Sequence, residues 1–156
     1  METDPLADSL RAALPVLLPK AIAWAEEQSA FILNNGDALE SQEKELAEAL
    51  GIAQPSVIRV LSVANLPMPG DPELQQAALH LGLLGPTMTG LTFGYGIYIV
   101  YGHRTNRLMS HELRHVYQYE QAGGIENFLP EYLGQLISFG YADAPFEVDA
   151  KNHEQP

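Results

Sequence analysis

The stretch Asn106-Arg107-Leu108-Met109-Ser110-His111-Glu112-Leu113-Arg114-His115-Val116-Tyr117-Gln118-Tyr119-Glu120-Gln121 decides how the rest of the chain is read. Leu108, Val116 and Tyr119 supply apolar surface, while Arg104, Arg107, Arg114 and Glu120 supply polar surface, the pattern of a helix with one face buried. Side chains four residues apart lie on the same face one turn apart, so the imidazoles of His111 and His115 can converge on one cation. Glu112 is rotated by about 100° from His111. Its carboxylate then sits beside the cation, the place of a general base rather than a ligand. The plainer reading of the same residues is two half-buried histidines on an amphipathic helix, and the helical setting of the full H-E-x-x-H spacing favours the cation.

The chain as a whole narrows the choices. Its 156 residues suffice for one domain with a real core, and residues 1–156 read as such, with 1–14 and 151–156 expected to fray. The absence of cysteine removes disulfides, thiolate metal ligands and a cysteine nucleophile together, so a metal must use histidine and carboxylate. A net charge of −12 argues against a nucleic-acid partner, whose phosphates demand clustered Lys and Arg. The acidic start Met1-Glu2-Thr3-Asp4 is unlike the basic start of a signal peptide, and the expectation is a cytoplasmic protein. The apolar run Leu10 to Ala25 is broken by Arg11, Pro15, Pro19 and Lys20, and no membrane span is expected.

Around the motif, punctuation and periodicity predict an α+β fold, mainly helical with a small mixed sheet. A helix is expected from Pro19 to Asn34-Asn35-Gly36. Ser41 reads as the N-cap of a short helix with Leu46, Ala47 and Leu50 inside and Glu40, Glu43, Glu45 and Glu48 on a solvated face. The β-branched run 57–63 reads as a strand, and Asp71-Pro72 opens another helix. Residues 91–100 read as one strand, the edge strand that precedes the motif helix. Within it Gly94, Tyr95 and Gly96 have two readings, a bulge or an unobstructed backbone on which an extended peptide can pair. Beyond Gly123-Gly124 a helix bent or restarted at Pro130 is expected to end at Gly140, with a short helical turn from Pro145.

A glycine-bearing strand feeding an H-E-x-x-H helix, followed by a helix with a carboxylate, resembles the zincin metallopeptidases, and among them the gluzincin type. The run His111-Glu112-Leu113-Arg114-His115-Val116-Tyr117-Gln118-Tyr119-Glu120 and the later Ala144-Pro145-Phe146-Glu147 are also similar to those of small bacterial H-E-x-x-H proteins. The resemblance implies a minimal zincin-like domain, a bound Zn²⁺, a peptide or protein substrate, and a third protein ligand beside the two histidines.

Glu120, nine residues after His111, falls on the opposite face of the helix. Gln118 and Gln121 stand where the metzincin pattern has Gly and His, so that class is excluded. The remaining candidates are Glu126, Glu131, Asp143, Glu147, Asp149, Glu154 and His153. The resemblance points to Glu147, with Asp149 as the acceptor that fixes a ligating imidazole from outside, or as the third ligand itself with Glu147 outside. The chemistry implied is amide hydrolysis with Glu112 as general base. His103, Tyr141 and Tyr117 are candidate donors to the oxyanion, each with an ordinary surface or packing role as the alternative. Gln118 projects near the metal face. The competing expectation is a metal-containing module that binds a peptide or partner without turnover. The chain is near the minimum size for a zincin, and that reading includes a protein partner that completes its cleft. A third is a metal-free helical protein with a coincidental motif.

Overall fold

The computed structural model describes residues 4–156. Helix α1 (Pro5–Asn35) is followed by β1 (Asp37–Ala38), α2 (Ser41–Ala49), a 3-10 turn (Pro55–Val57), β2 (Arg59–Val63) and α3 (Pro72–His80). Then come β3 (Gly90–Phe93), β4 (Gly96–Val100), α4 (Asn106–Ala122), α5 (Ile125–Phe139) and α6 (Pro145–Asn152). The four strands form one mixed sheet in the order β1-β2-β4-β3, with β2 parallel to β4 and both outer pairs antiparallel.

The sheet separates two apolar layers, and strand alternation assigns side chains to each. Ile97 and Ile99 of β4, with Ile58 and Val60, pack against Ala47 and Leu50 of α2 and Met109, Leu113 and Val116 of α4. Tyr98 points to the other side, into a cluster with Ala25 and Ile32 of α1 and Ile125, Phe128 and Leu129 of α5. Gly96 belongs to that second face, where a Cβ would lie 2.9 Å from Ile32. The motif helix is therefore seated on the sheet by its apolar stripe. It starts at the Thr105 cap, whose hydroxyl accepts from Leu108 N at 3.2 Å, and stops at Gly123 in the left-handed region.

Several expectations change. The expected single strand 91–100 is a hairpin, because Gly94 at φ 64° turns the chain and Phe93 pairs back onto Gly96. The strand that enters the motif helix, β4, is interior, and the edge is β3. The N-terminal segment does not fray over residues 4–14. It is helical from Pro5, behind an Asp4 cap, and residues 1–3 lie outside the described residues. Pro15 and Pro19 sit inside α1 without ending it, since both face solvent, where water can serve the carbonyls they leave unbonded. Pro130 likewise leaves α5 continuous. The tail 151–156 is held rather than frayed, with Gln155 N donating to Ser110 Oγ at 2.8 Å. Glu43 is not on a solvated face. It is buried, and the Arg104 guanidinium donates to both of its oxygens at 2.8 and 2.6 Å. Among the described residues no helix is long and apolar enough to cross a membrane.

Candidate metal centre

Helix α4 presents His111, Glu112 and His115 with donor atoms within 4.8 Å of one another, a half-buried to buried group that can hold a metal ion. Helix α6 packs across it, and its first turn brings Glu147 between the two imidazoles. Glu147 Oε1 lies 3.1 Å from His111 Nε2, and Oε2 lies 3.2 Å from His115 Nε2. Pro145 at the start of α6 and the bond from Phe146 N to Gln135 Oε1 (2.9 Å) fix the entry of that turn.

The outer nitrogens of both imidazoles are also held. His111 Nδ1 lies 2.9 Å from Glu154 Oε2, and His115 Nδ1 lies 2.8 Å from Gln118 Oε1. Gln118 spends its amide N–H groups on Phe146 O and Asp149 Oδ2, both at 2.9 Å, so its oxygen is the atom that faces His115. A carboxylate and an amide oxygen only accept, so each Nδ1 carries a proton, and a cation would take the place of the proton that each Nε2 directs at Glu147. Metal-binding histidines are held in this way from outside.

Comparison with protein-family models, with curated proteins and with solved structures finds no match. Function must therefore be argued from the site itself.

The electrostatics of the centre favour positive charge. Burial lowers the pKa of His115, but Glu147 outweighs it and holds that imidazole up, to about 9, with Glu112 adding to the effect. His111 is raised against its own burial by Glu147 and Glu112. Burial pushes Glu147 up, yet His115 and His111, with the Tyr132 hydroxyl, hold it well below the usual carboxylate range. Two imidazoles facing three carboxylates, Glu112, Glu147 and Glu154, make a donor set suited to a divalent cation with nitrogen and oxygen ligands.

Glu112 stands apart from this pairing. It is buried and its pKa is raised by that burial, the two imidazoles opposing the rise. Thr92 Oγ1 donates to its Oε1 at 2.9 Å. On its other side is Gly90 of β3, where a Cβ would lie 3.1 Å from the carboxylate. Pairing of β3 with β4 uses Thr89, Leu91 and Phe93, so the backbone N–H and C=O of Gly90 point away from β4 to the open edge of the sheet, while its Cα faces Glu112. The centre opens into a cleft of about 360 Å³ lined by His103, Arg107, His111, Glu112, Tyr141 and Glu154 among others.

The remaining candidates divide. Asp149 is beside neither His111 nor His115: Arg114 Nε donates to it at 2.8 Å, its other imidazole neighbour is His153, and it reaches His115 only through Gln118. Tyr141 borders both the cleft and the pocket around Glu147, and burial beside Glu147 and Glu112 raises its pKa. His103 is at the exposed cleft mouth, its Nδ1 3.0 Å from Tyr101 O. Tyr117 lies away from the centre, under the Arg114 guanidinium at 4.0 Å. Gly94, Tyr95 and Gly96 are corrected as a substrate strand. Gly94 is in the hairpin turn against Ser29 and Ile125, Tyr95 OH donates to Glu120, and Gly96 is covered by α1. The glycine that borders the site is Gly90, just before the run 91–100 that the sequence reads as a strand. Glu154 stood among the ligand candidates, and its place behind His111 follows from a fold-back of the tail that no local pattern signals.

Proposed function

We propose that this chain is a zinc-dependent peptidase in which His111, His115 and Glu147 hold the metal and Glu112 is the general base. The observation that carries the reading is that the two buried carboxylates at the histidine pair have different partners. Glu147 lies on both Nε2 atoms, while Glu112 is turned toward the cleft and Gly90. A binding module would have no use for the second carboxylate, whose burial is unfavourable to its charge.

Bound zinc supplies Lewis acidity at the carbonyl under attack and makes water more acidic. Glu112 takes a proton from the attacking water and delivers it to the leaving nitrogen. Its raised pKa brings the carboxyl closer to the range in which it can both take and return that proton. Thr92 holds one oxygen and leaves the other to work. Tyr141 is the donor placed to meet an oxyanion, since its hydroxyl borders both the cleft and Glu147. The outward N–H and C=O of Gly90 suit an extended peptide backbone laid along β3, and the missing side chain lets it approach Glu112. Glu154 and Gln118 hold the imidazoles in one tautomer.

The test is cleavage of a mixed peptide library by zinc-loaded protein. Peptide-bond cleavage by the parent that disappears in Glu112→Gln at unchanged zinc content supports the assignment. Equal cleavage by both, or none by a fully zinc-loaded parent, contradicts it.

A further inference from the structure

Behind the metal pocket lies an apolar cavity of about 100 Å³ between α1, α3, α5 and β3. Leu83, Leu91, Thr92, Tyr119 and Tyr132 line both this cavity and the pocket that holds Glu112, His115 and Glu147. We infer that it receives an aliphatic group of the substrate, attached next to the bond that is cut. This inference rests on the hydrolytic reading and names the substrate class within it.

Three observations carry it. The only side-chain hydroxyls in the wall are already engaged. Thr92 Oγ1 is on Glu112, Tyr119 OH is on Thr92 O, and Tyr132 OH is on Glu147. A polar or charged group would find at most the Trp24 indole N–H, and a peptide backbone would strand most of its amides. The volume then sets the size. An apolar cavity of about 150 Å³ holds a benzene ring, so this one suits about four to six carbons, a leucine-like side chain or a short acyl chain. An apolar void of this kind is destabilising to leave empty. Lastly, Leu84 in the cavity wall has φ 59°, the one non-glycine among the described residues in the left-handed region. Such strain is characteristic of ligand-binding segments.

Trp24 lines the cavity and is the only tryptophan, which makes its fluorescence the reporter. The full chain carrying Glu112→Gln is titrated with 4-methylpentanamide and with succinamide as the polar counterpart. The inference expects a saturable change with the first and none with the second. It also expects loss of the response in Ala78→Leu and, as an independent filling from α1, in Leu14→Phe, each checked for native circular dichroism. No saturable response in the Glu112→Gln protein, or the same response in both filled variants, overturns it.

Turnover by the parent then separates the two sources of the aliphatic group. Blocked peptides with leucine beside the scissile bond and N-(4-methylpentanoyl)glycinamide are compared with their alanine and acetyl counterparts. A preference of roughly tenfold or more is expected for the better-fitting class. Cleavage with no preference overturns the inference and leaves the hydrolytic reading standing. Saturable probe binding in a zinc-loaded protein that cuts nothing supports the cavity and contradicts the hydrolytic reading.

Discussion

The two buried sides of α4 are built from opposite chemistry. Toward the sheet it offers Met109, Leu113 and Val116, nearly free of solvent and packed against Ile97, Ile99 and their neighbours. Toward β3 and α6 it offers Glu112, His115 and Gln118, as deeply buried, each with a named hydrogen-bond partner. The apolar side gains from burial outright. The polar side gains far less, since the cost of desolvating its groups offsets most of what their hydrogen bonds return. The first side fixes where the helix sits, and the second uses that fixed position to hold a charged centre with no unpaired buried side-chain atom among the described residues.

Breaking one side should leave a signature the other does not. Glu112→Gln should lower turnover by about 10²- to 10⁴-fold with the folding midpoint little changed, measured by peptide cleavage beside urea denaturation. Loss of both together would erase the distinction between the sides. Leu113→Ala removes a side chain with no exposed surface and should cost about 2–5 kcal/mol of stability. Zinc stoichiometry should be preserved wherever the variant is still folded.

The Glu43–Arg104 pair provides a control, a buried carboxylate with no part in the centre. Burial raises the Glu43 pKa, but the Arg104 guanidinium and the Glu40 backbone N–H outweigh it and hold it below its ordinary 4.5. A lowered folded-state pKa contributes stability above the unfolded value, and that stability is lost as pH falls from about 4.5 through the folded pKa. Glu43→Gln should therefore cost about 1.5–3 kcal/mol near neutrality and flatten the acid side of the stability profile in that window. An unchanged acid profile would show that the pair contributes nothing. Smallest of these effects, Glu154→Gln should weaken zinc binding by about 10- to 100-fold without altering apo stability, as read by competition with a chelator.

How far the sequence disclosed this depends on whether a signal is local. The motif helix was legible almost to the residue because its apolar pattern runs up to the stop at Gly123-Gly124, and the Thr105 cap at its start emerged only in the structure. The same holds for Asp71-Pro72 at the start of α3, where Asp71 accepts from Leu74 N at 3.0 Å. The hairpin was hidden because Leu91 to Val100 keeps its apolar pattern through the turn, and only Gly94 marks the reversal. The first half of α1 was hidden because Pro19 read as the first turn of a helix, although it and Pro15 lie inside one on the solvent side. Glu43 looked like one more glutamate of a charged face because its partner lies 61 residues away. His111, Glu112 and His115 were legible as a group from spacing alone. The place of Glu147 between the histidines, the relay from Asp149 through Gln118 and the fold-back of Glu154 depend on how α6 crosses α4, which no periodicity encodes.

The measurement that bears most directly on the centre is zinc content by plasma mass spectrometry of protein purified without chelator or metal-affinity tag. The parent is compared with Glu147→Ala and Asp149→Ala. The account predicts about one zinc per chain in the parent, loss in Glu147→Ala and retention in Asp149→Ala, because three protein ligands are typical of a catalytic zinc and Asp149 touches Gln118 rather than His111 or His115. A parent that takes up no zinc even when it is supplied, or a Glu147→Ala variant that keeps it at full stoichiometry, would contradict the account.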